Sequence, residues 1–243
     1  MASTGFEYNK GPHDDPPSYN SIEPYAPPTT TLPTVPIPPM ASLQMKGVPP
    51  GLEHFIPLNQ LNGRERFSAT QHRFGRNFEV LDSAGRSLFQ ASQDYQFCCP
   101  TYHVKITDNS QREVLTLQQQ RACCISREIE VISLGGIFLG RIKLHLNAFV
   151  THLSVISPEN IVLLQVIGPG FQTNVFGNSS FEVKSPDEQH VVGMFRYENS
   201  QFILSFPLDL DVGVKALLLG GCMFLDTLLY GARARMMRQR RRN

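Results

Sequence analysis

Six arginines crowd the last eleven residues: Arg233, Arg235, Arg238, Arg240, Arg241 and Arg242. Guanidinium groups at that density recognise anions, so the expected partner is an anionic lipid surface, nucleic acid or an import receptor. The alternative is a solvated tail without a partner. All 21 acidic residues precede position 227, so the formal net charge of +1 conceals an acidic body and a basic end. The five cysteines are Cys98-Cys99, Cys123-Cys124 and Cys222, the last inside an apolar run. An odd count behind a start with no signal-peptide pattern predicts a reducing compartment, not a disulfide framework. Adjacent cysteines lack the usual spacing of zinc ligands, and the seven histidines are scattered without ligand spacing. No Walker A loop, Gly-x-Ser-x-Gly elbow or His-Glu-x-x-His pair occurs, so conventional catalytic chemistry is not expected. Pro16-Pro17-Ser18-Tyr19 has the PPxY form that WW domains accept, the prolines docking in an aromatic groove and Tyr19 filling a neighbouring pocket. Pro33-Thr-Val-Pro36 and Pro36-Ile-Pro-Pro39 are PxxP cores without an adjacent basic residue.

The elements that must carry these groups follow from composition and periodicity. Thirteen of the 18 prolines lie within the first 57 residues, where large apolar side chains are scarce. Such a segment buries too little surface to offset its ordering entropy, which predicts a disordered proline-rich arm over 1–47. From about Gln71 the texture becomes short alternating runs between turn residues. Asn77–Leu81 and Arg86–Ala91 flank Asp82-Ser-Ala-Gly85, and Tyr102–Thr107 turns at Asp108-Asn-Ser110 into Glu113–Leu117. Arg127–Ser133, Ile137–Leu146, Phe149–Ile156, Ile161–Ile167, Phe181–Lys184, His190–Phe195 and Gln201–Phe206 continue the design. About a dozen strands at hairpin spacing predict a mainly β fold, an antiparallel barrel or sandwich, over 48–232. The segment from 233 to 243 is then a basic tail.

One helix is expected, over 214–230, apolar on every face apart from Lys215, Asp226 and Thr227. Seventeen helical residues reach about 25 Å, short of a hydrocarbon layer of about 30 Å. Lys215 and Asp226 share nearly one side. A single span with the main domain in the cytosol would also place the arginines outside, against the positive-inside tendency. The helix is therefore expected to be buried in the β domain, and it sets the fold.

Phe206-Pro-Leu-Asp-Leu-Asp-Val212 running into Lys215-Ala-Leu-Leu-Leu-Gly-Gly-Cys-Met-Phe-Leu-Asp226 resembles the phospholipid scramblase family. Further matches fall in the family's order: Val48-Pro-Pro-Gly-Leu-Glu53, Ile106-Thr-Asp-Asn-Ser-Gln-Arg-Glu-Val114, Arg127-Glu-Ile-Glu-Val131 and Ile167-Gly-Pro169. Phe181-Glu-Val-Lys-Ser-Pro-Asp-Glu-Gln189 and Val191-Val-Gly193 complete a series spanning about residues 48–230. The resemblance implies a tubby-like closed barrel of twelve antiparallel strands around a central apolar helix. It also implies a membrane-associated lipid mover, bidirectional and ATP-independent, at the cytoplasmic face of the plasma membrane, with a cytosolic or nuclear pool as a further expectation. Acylation would fall on Cys123 and Cys124, where the family's cysteine cluster is reduced to two. Calcium would be held by a twelve-residue segment ending at Asp209, which sets Glu198 first and Ser200 third. Phe202, Leu204 and Phe206 occupy later ligand positions and Ile203 stands where glycine is needed, so weak calcium binding or none is expected. Two other functions stay open: a membrane-tethered adaptor recruiting WW-domain proteins through PPxY, and a nuclear, nucleic-acid-binding protein. Oligomers are possible partners in lipid movement.

Overall fold

The computed structural model describes residues 47–66, 75–94, 102–119, 127–145, 147, 149–170, 179–198 and 201–240, without the side chains of 94, 234 and 235. Most of the proline-rich arm, including Pro16, Pro17 and Tyr19, lies outside the described residues, as do Ser200, Cys123, Cys124, Arg241 and Arg242.

Chain direction alternates through twelve strands: β1 Gln60–Arg66, β2 Gly75–Leu81, β3 Ser87–Asp94, β4 His103–Asp108, β5 Glu113–Gln118 and β6 Glu128–Ser133. There follow β7 Ile137–His145, β8 Val150–Ile156, β9 Val162–Pro169, β10 Ser179–Lys184, β11 Val191–Glu198 and β12 Gln201–Ser205. Each pairs antiparallel with its neighbours in sequence, and β1 pairs with β12 from Gln60↔Ser205 to Arg64↔Gln201, closing a barrel. Closure leaves no free sheet edge.

The turns repeat one local solution. Asp82, Asp108, Ser133, Ser157 and Ser185 each accept, on their main-chain oxygen, the N–H of the residue three places on, at 2.9–3.1 Å. That fourth residue has positive φ every time: Gly85 79°, Gln111 61°, Gly136 78°, Asn160 66° and Glu188 61°. At three turns the opening side chain also caps the loop. Asp82 Oδ1 accepts from the N–H groups of Ala84 and Arg86, Asp108 Oδ1 from Ser110 and Arg112, and Ser157 Oγ from Glu159 and Ile161. Short polar side chains that bond two and four residues ahead are what make these positions turns.

A single helix, α1, fills the barrel. It runs Val212–Arg240, 29 residues, entering where β12 ends. Asp211 caps it, its Oδ1 accepting the N–H groups of Gly213 at 2.8 Å and Val214 at 3.1 Å. Every residue from Lys215 to Asp226 is buried, against inward side chains such as Leu117, Val131, Ile142, Leu153 and Phe195. The helix is longer than the 214–230 expected. Beyond Tyr230 the apolar pattern stops, but alanine, arginine, methionine and glutamine are good helix formers and carry the helix to Arg240. By length and composition α1 could cross a membrane, yet 78% of its most apolar window is buried inside the barrel.

Close packing depends on missing side chains. A Cβ at Gly63 on β1 would stand 2.0 Å from the ring of its cross-strand partner Phe202, and one at Gly168 on β9 would stand 2.2 Å from Phe181. On the helix, a Cβ at Gly220 would meet Val131 at 3.0 Å and Leu117 at 3.1 Å, whereas at Gly221 the nearest atom is 3.9 Å away. Gly221 also borders a small apolar void beside Val166, Phe195 and Leu218.

Outside the barrel, Glu79 on β2 is nearly enclosed by Arg64 and Arg66 of β1. Arg64 Nη2 donates to Oε2 and Arg66 Nη2 to Oε1, both at 2.7 Å. The hydrogen bonds from Arg64 and then Arg66 hold its carboxyl down at about 2, against 4.5 unperturbed.

Two outcomes follow for stability. Gly221→Ala gains helix propensity of about 0.8–1 kcal/mol at no steric cost, while Gly220→Ala sets that gain against overpacking of about 1–3 kcal/mol. Chemical denaturation will show Gly221→Ala stabilised and Gly220→Ala less stable than it. Because the folded-state value of Glu79 lies below its unfolded value, its contribution is complete above 4.5 and is lost as pH falls towards 2. Stability measured against pH will therefore fall less steeply in Glu79→Gln across that window.

Candidate functional site

The alternation of strands gives the barrel two unlike mouths. The five tight turns, 82–86, 109–112, 134–136, 157–161 and 185–190, open at the mouth where α1 enters. The strand ends that flank the other six connections lie where α1 leaves, and those connections are mostly outside the described residues. Carboxylates mark the turn mouth: Glu53, Glu159, Asp187, Glu188 and Asp209 are exposed there. Its Arg86 and Arg112 are paired with Asp82 and Asp108. The exit mouth is basic. Arg238 and Arg240 are exposed on α1 as it emerges, and the guanidinium of Arg233 stacks 4.5 Å from the ring centroid of Tyr197. Exposed apolar groups accompany them: Phe149 is 79% exposed, Tyr230 44% and Met237 55%. Phe149 is held by its own N–H donating to Asn147 Oδ1 at 2.9 Å. Apolar side chains, one of them the amphipathic ring of Tyr230, stand beside arginines on this rim, a composition that suits a membrane–water interface.

Beneath that rim lies a buried ionic cluster. Alternation along β1 turns Leu61, Gly63 and Glu65 inward, and along β2 it turns Arg76, Phe78 and Val80 inward. Arg76 donates from Nε and Nη2 to the two carboxylate oxygens of Glu65, both at 2.9 Å. Its Nη1 lies 2.7 Å from Asp226 Oδ2 of α1, an ion contact without hydrogen-bond alignment. The guanidinium is sandwiched between Phe78 at 4.7 Å and Tyr230 at 4.3 Å. Burial pushes the Asp226 carboxyl upward, opposed by the charge of Arg76. Burial, then the charge of Asp226, pushes the Tyr102 phenol well up, and its ring meets Phe224 edge-on at 5.3 Å. These groups lock the exit end of the helix to β1 and β2.

A second lock secures the entering end. Lys215, fully buried, donates from Nζ to the main-chain oxygens of Phe55 at 3.1 Å, Ile56 at 3.1 Å and Leu208 at 2.7 Å. Burial lowers its ammonium from the usual range, and Asp209 and Asp211 partly restore it.

Several expected site residues do not converge. Glu198 closes β11 beside Gln201, and β12 separates it from Asp209, which lies beyond Ser205 at the opposite mouth. The two carboxylates stand roughly 13 Å or more apart on a strand rising 3.3 Å per residue. Among the described residues no group of three or more His, Cys, Asp or Glu side chains is placed to hold a metal. The helical arginines Arg233, Arg238 and Arg240 are brought to one mouth, as is the backbone of Arg235. Cys123 and Cys124 fall in sequence between Gln118 of β5 and Glu128 of β6, both ends at that mouth. Sequence reading gave no role to Phe149, Glu65 or Arg76. A lone phenylalanine before a strand and two charges in polar surroundings carry no signal until pairing sets their direction.

The cluster's energetics are testable by substitution. Arg76→Met leaves Glu65 and Asp226 buried without their cation, a loss of about 3–5 kcal/mol. Asp226→Asn keeps the Arg76–Glu65 pair, so urea unfolding will show it the milder of the two.

Comparison with known proteins gives the chain its relatives. Residues 78–232 match the family model described as Scramblase. Phospholipid scramblase 1 of Mus musculus is 27% identical over 247 residues, covering 90% of this chain and 73% of the relative. Phospholipid scramblase 2 of Homo sapiens is 26% identical over 210 residues, 75% of this chain and 71% of the relative. Phospholipid scramblase family member 5 of Homo sapiens is 25% identical over 221 residues, 79% and 81%. A crystallographic structure of an Arabidopsis thaliana protein covers 70% of this chain and 93% of that one, at 16% identity and a TM-score of 0.45. With the family model matched across well over half its length, this chain belongs to the Scramblase family.

Proposed function

We propose that this protein is a membrane-associated phospholipid scramblase-like protein that moves phospholipids between leaflets in both directions without ATP. The supporting observation is the exit mouth, where a family member's barrel gathers Arg233, Arg238 and Arg240 beside exposed Phe149, Tyr230 and Met237. In this reading that mouth lies on the anionic cytoplasmic leaflet of the plasma membrane, with the rings at headgroup depth and the arginines on lipid phosphates. The acidic turn mouth faces away. Acyl chains on Cys123 and Cys124 would strengthen the attachment, each buried methylene adding about 0.8 kcal/mol. Headgroups do not travel through the barrel, whose interior is filled by α1 and the inward side chains. Lipid movement runs instead along the bilayer that the docked mouth disturbs.

Liposomes carrying a fluorescent phospholipid and a membrane-impermeant quencher test the activity in the presence of calcium and of a chelator. Protein-dependent loss of the protected inner-leaflet signal is the expected result, and quenching no faster than in protein-free vesicles overturns the reading. Docking is measured separately. Each basic side chain near an anionic surface contributes about 1 kcal/mol, so Arg238→Glu with Arg240→Glu will weaken vesicle binding about 30-fold or more. The loss will shrink as salt rises.

A further inference from the structure

The outer face of β7, β8 and β9 carries a polar cluster that neither the basic mouth nor the helix locks use. Leu144, Leu153, Val155, Leu164 and Val166 point inward, so His145, His152, Ser154 and Gln165 point outward. His145 stands directly opposite His152, and Ser154 directly opposite Gln165. The imidazole centroids are 4.6 Å apart and their planes 35° from parallel. Both Nε2 atoms are aimed at one small patch. His145 Nε2 lies 2.7 Å from Ser154 Oγ, His152 Nε2 lies 2.8 Å from Gln165 Oε1, and Ser154 Oγ donates to Gln165 Oε1 at 2.8 Å.

With Gln165 Oε1 accepting from Ser154, both imidazoles carry their proton on Nε2 and donate inward. Turning the Gln165 amide over reverses the chain: its NH2 group donates to His152 and Ser154, and the Ser154 hydroxyl donates to His145. Both Nε2 lone pairs then face the same patch. The Gln165 amide fills the same outline in either orientation, so both networks fit these positions.

From this the geometry points to a surface site for one borderline divalent transition ion, of the Zn2+, Cu2+ or Ni2+ class. His145 and His152 are its ligands, the ion displaces Ser154 and Gln165 from their 2.7 and 2.8 Å contacts with the two Nε2 atoms, and water completes the shell. Imidazole nitrogen suits these ions. Hard cations are disfavoured, because the cluster holds no carboxylate and Lys143 lies beside His145. β7, β8 and β9 carry no acidic residue, and Glu128 of the neighbouring β6 is engaged by Arg141 at 3.1 Å. Two ligands fixed on paired strands of a closed barrel are already held in place, so little ordering cost attends binding. The inference is independent of the lipid-moving activity.

The test uses the full chain, freed of metal by chelator, with its thiols alkylated so that cysteine cannot compete. Calorimetric titration with NiCl2 and ZnCl2 should show a site that His145→Ala and His152→Ala each weaken about tenfold or more. His54→Ala and His103→Ala should leave it unchanged. Spin resonance of the Cu2+ complex of the unsubstituted chain should show coupling to two imidazole nitrogens, a readout independent of any variant's folding. No saturable uptake, or uptake that neither the His145 nor the His152 substitution shifts, overturns the proposal. A Cu2+ spectrum with a single coupled nitrogen overturns it as well.

Discussion

An α-helix that is apolar on every face has to be surrounded, and surrounding it is what the other elements of this barrel do. Its two ionisable interruptions mark the length over which that enclosure holds. Lys215 and Asp226 are eleven residues apart, about 16 Å along a helix axis. Each meets its partner close to one mouth. Lys215 spends its three donors on the main-chain oxygens of Phe55, Ile56 and Leu208, and Asp226 meets Arg76, itself clasped by Glu65. Neither arrangement is worth much as net stabilisation, since burying ions costs about what their pairing returns. What they provide is position: a slide of one turn along the barrel axis in either direction would pull both charges from their partners and drive one of them in among hydrocarbon side chains.

Much of this was legible in the sequence because the relevant forces are local. The turn residues Asp82, Asp108 and Ser157 reveal their hairpins, since a short polar side chain bonding two and four residues ahead leaves the backbone little choice. Two-residue alternation exposes most strands, and the apolar run from Val214 exposes the helix. β1 is not legible in the sequence, for a physical reason. Its inward positions are Leu61, Gly63 and Glu65, and only the first looks like core. Gly63 faces inward because the Phe202 ring occupies its side-chain space, and Glu65 because Arg76 awaits it.

The candidate sites divide in the same manner. Arginines clustered in sequence stay clustered in space when they continue one helix, so the basic mouth could be anticipated. Glu198 and Asp209 could not be judged by counting, because an intervening strand carries them to opposite ends of the barrel. His145 and His152, seven residues apart, look scattered in the chain and are direct neighbours in the sheet. Side-chain proximity across a hairpin depends on register, and register is set by the turn and by the core face together.

The order of elements along the chain also constrains how the protein comes into being. Twelve strands precede the helix, so during synthesis every inward-facing leucine, valine and phenylalanine is made before the segment that covers it. The pairing of β1 with β12 joins residues near 60 and 205 and waits for nearly the whole domain to emerge. Contacts that distant in sequence form slowly, and unsealed sheets with apolar faces invite aggregation. A nascent barrel of this design keeps its apolar inner face uncovered until its own last helix arrives to fill it.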